Sequence, residues 1–250
     1  MPISLDAQAP TGPALTGWRA KFAPEQRLRL RRYLYRLRHP AWLGTLRRTA
    51  PLSEGWGYDR GAPIDRYYID QFLGAHCAAI RGRVLEIKDS TYTNRFDRGV
   101  TRRDILDINP ANTQATIIAD LAAADAIATG SFDCFILTQT LQFIYDTQAA
   151  IDHAARILRP GGVLLATLPA IIRVEQAAAQ TDYWRFTVAS CTKLFGAAFG
   201  AEQITVCSYG NVLACIAFLT GMAQEELKPE ELAVNDPYFP VLIAVRAVKL

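Results

Sequence analysis

The chain has 250 residues, half of them hydrophobic, and a formal net charge of only +3. This length and composition exclude a wholly disordered chain and are typical of one globular domain with an extension. The five cysteines form no CxxC pair, and the first residues contain no apolar signal segment, so the sequence predicts a protein of the reducing cytoplasm.

The N-terminal third is predicted to lie outside the main domain. Residues 1–17 mix Pro, Gly, Ala and Thr without periodicity, which indicates a flexible arm. Residues 18–80 are predicted to form a helical extension with an ordered loop at 51–65, because that loop contains Trp and Tyr among its Gly and Pro residues.

The extension also carries a strong positive charge. Residues 18–48 contain ten Lys or Arg and one acid, Glu25. Apolar residues recur at helical spacing within 24–39, which predicts an amphipathic basic helix there. Two interpretations remain open: the helix contacts nucleic acid or an anionic membrane surface, or it is an ordinary solvated helix.

Residues 81–250 alternate short apolar runs with helical stretches. Continuous apolar strands separated by helices predict an α/β fold, with a Rossmann-like, mostly parallel sheet covered by helices on both faces. The first five strand candidates are 84–87, 100–108, 115–120, 132–137 and 163–168. Two further candidates lie in the tail, at 204–208 and 241–248, and the last is expected at the sheet edge after an apolar helix.

Polar residues follow several of these strands. Ligands of an open parallel sheet bind outside the carboxyl ends of its strands, so these residues are expected to line one site. An acid after the second strand suits the two hydroxyls of a ribose, and an acid with an apolar neighbour after the third suits an adenine. The candidates in strand order are Glu86, Lys88, Asp89, then Asp104 or Asp107, then Asp120, Leu121 and Thr138.

Four sequence blocks between about residues 80 and 170 occur in the order found in a known enzyme family. V-L-E-I, A-D-L, S-F-D-C-F-I-L-T-Q-T-L-Q-F and R-I-L-R-P-G-G-V-L-L, spread over about residues 80–170, resemble a class I S-adenosylmethionine-dependent methyltransferase. The resemblance implies that S-adenosylmethionine is the cofactor and that the strand-end residues bind it. Within the family's pattern, Asp104 is favoured over Asp107 as the acid for the ribose.

Two further segments resemble a narrower, methyltransferase type 11-like subgroup associated with glycosyltransferases and polysaccharide assembly. They are D-Y-W-R-F-T at 182–187 and G-W-G-Y-D-R-G-A-P-I-D-R-Y-Y-I at 55–69. This resemblance implies methylation of a hydroxyl on a sugar or other polar small molecule in glycan or secondary-metabolite biosynthesis. It also implies a glycosyltransferase partner, and it assigns Tyr183 and Arg185 to orienting the acceptor.

The sequence departs from the family at two places. The loop E-I-K-D-S-T-Y has none of the glycines that usually let the backbone approach the cofactor, so Lys88 and Asp89 are predicted to bind it with their side chains. Where relatives have L-E-H, this chain has L-Q-F, so the candidates for a general base are Asp146, Asp182 and Tyr183.

These departures leave a second hypothesis open, which is a methyltransferase fold without transfer activity that acts as a binding scaffold for a glycosyltransferase. The apolar segment after residue 208 is a candidate homodimer face. No metal site is predicted, because His39, His76 and His153 have no ligand partners at metal-binding spacing.

Overall fold

A computed structural model of the chain describes residues 23–39 and 44–250. The arm predicted at 1–17 and the first basic residues of the extension, Arg19 and Lys21, lie outside the described residues. The chain divides into two compact units, one ending at Arg48 and one running from Thr49 to Leu250. Residues 49–80 therefore belong to the same unit as the sheet.

The first unit contains helix α1, Pro24–Arg38, which confirms the helix predicted at 24–39. Pro24 stands in the first turn, where a missing backbone N–H costs nothing. Glu25 lies in that turn and Arg36 and Arg38 lie in the last, so the charges complement the helix dipole at both ends. The leucines and tyrosines of α1 are exposed.

The second unit contains a seven-stranded sheet with the order β3-β2-β1-β4-β5-β7-β6. Its strands are β1 Gly82–Ile87, β2 Val100–Asp107, β3 Ile117–Ile118, β4 Phe132–Thr138, β5 Leu158–Pro169, β6 Ile204–Tyr209 and β7 Leu242–Val248. Its helices are α2 Ile64–Ala75, α3 Thr91–Phe96, α4 Thr147–Ile157, α5 Val188–Phe199, α6 Val212–Thr220 and α7 Pro229–Ala233. The first five strands pair in parallel, which confirms the predicted Rossmann-like α/β fold.

Helices cover both faces of the sheet because the central strands are apolar on both sides. On one face, Leu85 of β1 and Phe135 of β4 pack with α4 and α5. On the other face, Val84 and Ile136 pack with α2 and α6. Alternate residues of a strand point to opposite faces, so a continuous apolar run requires a helical layer on each side.

The prediction that the last strand lies at the sheet edge is wrong. β7 pairs antiparallel with β5 on one side and with β6 on the other, so it is an interior strand. In chain order β6 comes before α6, α7 and β7, and β7 lies between β5 and β6 in the sheet. The described edges of the sheet are β3 and β6.

None of the helices in the described ranges is long and apolar enough to cross a membrane.

Candidate functional site

A cavity of about 910 Å³ opens at the carboxyl ends of β1, β2, β3 and β4. The loops that follow these strands form one wall, and residues before and within α2, together with 172–182, form the other. The parallel strands all end at this edge, so the polar residues that follow them converge here. The cavity therefore lies where the strand-end analysis predicts a ligand.

Six of the seven residues predicted to bind the cofactor line this cavity. They are Glu86, Lys88, Asp89, Asp120, Leu121 and Thr138. Leu121 is buried beside the exposed Asp120, whose Oδ1 accepts a hydrogen bond from the backbone N–H of Ala122 at 2.9 Å. An acid and an apolar side chain thus stand next to each other, as an adenine would require.

The seventh residue, Asp104, lies apart from the cavity. It is in the middle of β2 and 2% exposed, and its Oδ2 accepts from Arg83 Nε at 2.7 Å and lies 3.1 Å from Arg102 Nε. Burial acts to raise the pKa of Asp104, but the hydrogen bonds from Arg83 and Arg102 hold it below its ordinary value. This arrangement gives Asp104 a structural role in joining the starts of β1 and β2.

The acid at the end of β2 is instead Asp107, the alternative in the sequence, and it lines the cavity. Its Oδ1 accepts from the backbone N–H of Asn109 at 2.9 Å, and its Oδ2 accepts from Asn112 Nδ2 at 2.6 Å. These bonds fix the carboxylate at the cavity mouth. The correction follows from the length of β2, which runs three residues past Asp104.

Glu86 organises the loop after β1. Its two carboxylate oxygens accept from the backbone N–H groups of Tyr92 and Thr93, at 2.9 and 2.7 Å, in the first turn of α3. The residue is 2% exposed, and burial raises its pKa against the opposing effect of these hydrogen bonds. Glu86 therefore ties α3 to β1 and closes the loop between them.

Lys88 has the backbone conformation that is typical of glycine. Its φ is +72°, in the left-handed region that non-glycine residues seldom adopt. Its backbone N–H donates to the carbonyl of Leu106 at 2.9 Å, and its carbonyl accepts from Asn112 Nδ2 at 2.7 Å. The loop therefore keeps a glycine-like turn while its lysine side chain remains exposed.

The opposite wall includes a strap formed by residues 52–63. The strap is attached to residues 220–226: Leu52 N–H donates to the carbonyl of Thr220 at 2.7 Å, and Gln224 N–H donates to that of Ala62 at 2.8 Å. An ion pair between Arg60 and Glu226 adds a side-chain link. The C-terminal segment, for which the sequence suggests no chemistry, thus supports a wall of the cavity.

The strap presents Trp56 and Tyr58 to the cavity. Trp56 has a φ of +56°, another left-handed non-glycine residue, so the strap holds it in a strained conformation. Arg173, which follows β5, stacks its guanidinium on the Trp56 ring at 3.9 Å from the ring centroid. These residues lie outside the strand-end pattern, and only the aromatic character of the loop pointed to an ordered role.

The residues predicted for catalysis do not gather at one point. Only Asp182 lines the cavity, and it is bound to Arg185 through both oxygens, at 2.5 and 3.0 Å. Burial acts to raise the pKa of Asp182, but the Arg185 hydrogen bonds hold it below its ordinary value. Asp182 is therefore a charged structural partner and a poor base.

The other three predicted residues lie outside the cavity lining. Asp146 caps α4 by accepting from the backbone N–H of Ala149 at 3.0 Å. Tyr183 is 44% exposed and packs its ring on Tyr145, with the centroids 5.3 Å apart. Arg185 donates to the carbonyls of three residues, which holds the segment after β5 in place. They are Ile172, Arg173 and Trp184.

Unsatisfied polar atoms point to cavity residues that the sequence analysis missed. Buried polar side-chain atoms without a hydrogen-bond partner are rare in folded proteins. Among the described residues seven side chains have such an atom, and all but Thr167 line the cavity. The six are Trp56, Asp65, Asp70, Gln139, Gln142 and Arg173. Their concentration indicates a site that a polar ligand would complete.

Across the described chain, no group of three or more His, Cys, Asp or Glu residues is arranged to hold a metal ion.

The two acids of β2 can be separated by paired substitutions. Asp104→Asn leaves Arg83 without its charged partner, and we expect it to lower the free energy of unfolding by on the order of 2 kcal/mol while donor affinity stays the same. Asp107→Asn, the matched control, should lower donor affinity with little effect on thermal unfolding. Thermal unfolding and titration calorimetry measure the two effects. Loss of affinity in the Asp104 variant alone would contradict this assignment.

Comparison with known proteins agrees with this geometry. Residues 78–166 match a family model described as a methyltransferase domain. The chain matches no curated protein sequence. Among solved structures, one of a 1,6-didemethyltoxoflavin-N1-methyltransferase from Burkholderia thailandensis is 16% identical, with a TM-score of 0.50; the match covers 99% of this chain and 98% of that one.

Two further structures have the same fold. A SAM-dependent methyltransferase from Thermotoga maritima is 17% identical, covering 75% of this chain and 92% of that one, with a TM-score of 0.50. One from Archaeoglobus fulgidus is 10% identical, covering 74% and 94%, with a TM-score of 0.50. The domain match and the shared fold support a class I S-adenosylmethionine-dependent methyltransferase and indicate S-adenosylmethionine as its cofactor.

Proposed function

We propose that this protein transfers a methyl group from S-adenosylmethionine to a hydroxyl of a sugar or other polar small molecule, in glycan or secondary-metabolite biosynthesis. One observation carries the proposal. The cavity joins the donor-binding residues at the strand ends to a second polar and aromatic wall formed by the strap and residues 172–182. A cavity with these two walls has the residues to hold a donor and an acceptor side by side.

The strand-end wall fits the donor. The bound cofactor supplies an electrophilic methyl group on a sulfonium. Asp107 is placed to accept hydrogen bonds from ribose hydroxyls, and Asp120 with Leu121 to hold the adenine. Lys88 and Asp89 provide opposite charges for the carboxylate and the amino group of the methionyl end.

The second wall suits a hydroxyl-rich acceptor. Trp56 and Tyr58 offer aromatic surface, and Arg173 offers hydrogen-bond donors beside them. These three residues take over the acceptor role first assigned to Tyr183 and Arg185, which lie outside the cavity lining. The Burkholderia structure supports a small-molecule acceptor, since that enzyme contains 1,6-didemethyltoxoflavin together with S-adenosylhomocysteine.

A second function is favoured by one feature of the site. Both carboxylate oxygens of Glu86 accept hydrogen bonds from amides of α3, and Gln142 and Phe143 replace the acid and histidine of many relatives. A protein with these features could serve as a scaffold for a glycosyltransferase without transferring methyl groups. Three further proposals apply to either function. The protein belongs to the polysaccharide-associated subgroup, α1 contacts an anionic surface, and the exposed apolar side chains of α6 form a homodimer interface.

Titration calorimetry with S-adenosylmethionine and S-adenosylhomocysteine separates the two functions. We expect both ligands to bind, since the strand-end residues converge at one cavity. Absence of heat and of thermal stabilisation at about millimolar ligand would reject the methyltransferase and favour the scaffold. A survey of methyl transfer to neutral and acidic sugars then tests the acceptor class.

Lys88 provides a sharper test of the donor loop. Lys88→Ala and Lys88→Gly both remove the ammonium, so we expect each to lower donor affinity by up to about tenfold, the value of an exposed ion pair. The free energy of unfolding should be about 1 kcal/mol higher for the Gly variant than for the Ala variant, because only glycine adopts this φ without strain.

Calorimetry and chemical denaturation measure both quantities. Unchanged donor affinity in both variants would show that the lysine side chain does not replace the missing glycines. Higher affinity in the Gly variant than in the wild type would show that the lysine obstructs the donor.

A further inference from the structure

The site described so far lacks a base for the acceptor hydroxyl. Asp146 caps α4 and lies outside the cavity lining, and Tyr183 is at the surface. Asp182 lies at the cavity, but Arg185 occupies both of its oxygens. A base must have a free lone pair within reach of the proton that it removes. None of the three predicted candidates meets this condition.

Asp65 meets it. It is the second residue of α2, it is 5% exposed, and it lines the cavity. Its Oδ2 lies 3.9 Å from Arg66 Nε, and its Oδ1 is buried without a hydrogen-bond partner. An acidic side chain in the core beside Ile64 and Ile69 is costly unless another group completes its hydrogen bonds.

The surroundings of Asp65 also suit proton transfer. Burial raises the pKa of its carboxyl group above the ordinary value, and the nearby Arg66 limits that rise. Arg66 donates from Nε to Tyr58 Oη at 3.2 Å and from Nη1 to Tyr92 Oη at 3.1 Å, so two tyrosines hold it in place. Arg66 and Tyr92 are the ionisable groups that interact most directly with Asp65.

The other acids of this wall are less suitable. Asp70 also has an unpartnered Oδ1, but its Oδ2 lies 2.8 Å from Arg95 Nη1, a closer ion pair than the 3.9 Å between Asp65 and Arg66. Glu86 has both oxygens occupied by the amides of α3. Gln142, which also lines the cavity, has an unpartnered Oε1 and is 3% exposed, but an amide cannot act as a base at neutral pH. Its free oxygen is a second, independent sign that the cavity accepts a hydrogen-bond donor.

We propose that Asp65 is the general base that takes the proton of the acceptor hydroxyl, an inference that rests on the proposed methyl transfer. The proton moves from the acceptor hydroxyl to Asp65 Oδ1. At the same time the hydroxyl oxygen of the acceptor forms a bond to the methyl carbon. The carbon–sulfur bond of the donor breaks, and its electron pair remains on sulfur as a neutral thioether. Asp65 then releases the proton to water.

Asp65→Asn tests this role because it keeps the shape of the side chain and removes its basicity. We expect kcat/KM to fall by about 100- to 10,000-fold, and the acidic limb of its pH profile to disappear. Affinity for S-adenosylhomocysteine, measured by calorimetry, should remain within about twofold of the wild type, and Asp65→Glu should restore part of the rate.

Asp70→Asn is the comparison variant on the same helix, and it should keep the acidic limb whatever its effect on the maximal rate. Retention of the limb in Asp65→Asn would overturn the proposal. Loss of S-adenosylhomocysteine affinity in that variant would also overturn it, because Asp65 would then be a donor ligand. A wild-type protein that binds no donor would instead reject the proposed methyl transfer itself.

Thermal unfolding gives a readout that does not depend on activity. A carboxyl group with a raised pKa binds its proton more tightly in the folded than in the unfolded state. Its contribution to stability is therefore present below the ordinary pKa and is lost as pH rises through the folded-state pKa. Asp65→Asn should then melt above the wild type at pH 7, with the difference vanishing near about pH 4. A lower melting temperature at pH 7 would show that Asp65 is a structural ion-pair partner and would overturn the proposal.

Discussion

The geometry of the site depends on the contact between the Glu86 carboxylate and the first turn of α3. A buried carboxylate is stable only when donors surround it, and the amides of Tyr92 and Thr93 supply them. This contact places Tyr92 so that its hydroxyl accepts a hydrogen bond from Arg66, and Arg66 lies beside Asp65. One buried acid near the end of β1 thus orders the loop after that strand and, through Arg66 of α2, part of the opposite wall of the cavity.

The two walls differ in how they are built. The strand-end wall follows from the parallel sheet, since its strands end at one edge and the residues at and after their ends line the cavity there. The opposite wall uses the strap, the loop at 220–226 and the segment after β5, all of which lie outside residues 78–166. Strained or unsatisfied groups occur on both walls, Trp56 and Asp65 on the opposite wall and Lys88 and Gln139 at the strand ends. Such features persist only where the surrounding contacts hold them, which is common at functional sites.

Sequence reasoning reached most of the fold and part of the site. Six of seven strand-end residues meet at the cavity because a strand's last residues are recognisable from its apolar run. Asp104 was favoured on the family's pattern, although the strand predicted at 100–108 already ran past it; β2 ends at Asp107, and that acid lines the cavity. Arg185 and Asp182 carry opposite charges three residues apart, and they pair with each other locally, so neither is free to act on a substrate.

By itself, the sequence determined the α/β architecture, the strand-end wall of the cavity and the absence of glycines from the loop after β1, because these depend on local periodicity and on residues next to strands. Only the tertiary structure decided that Lys88 keeps a left-handed turn, that the C-terminal segment supports the strap, and that Asp65 has a free oxygen at the cavity. These features arise from contacts between residues up to about 170 positions apart, as between Arg60 and Glu226, which are 166 positions apart. Local patterns contain no information about such contacts, because they form only when the sheet and its helices pack together.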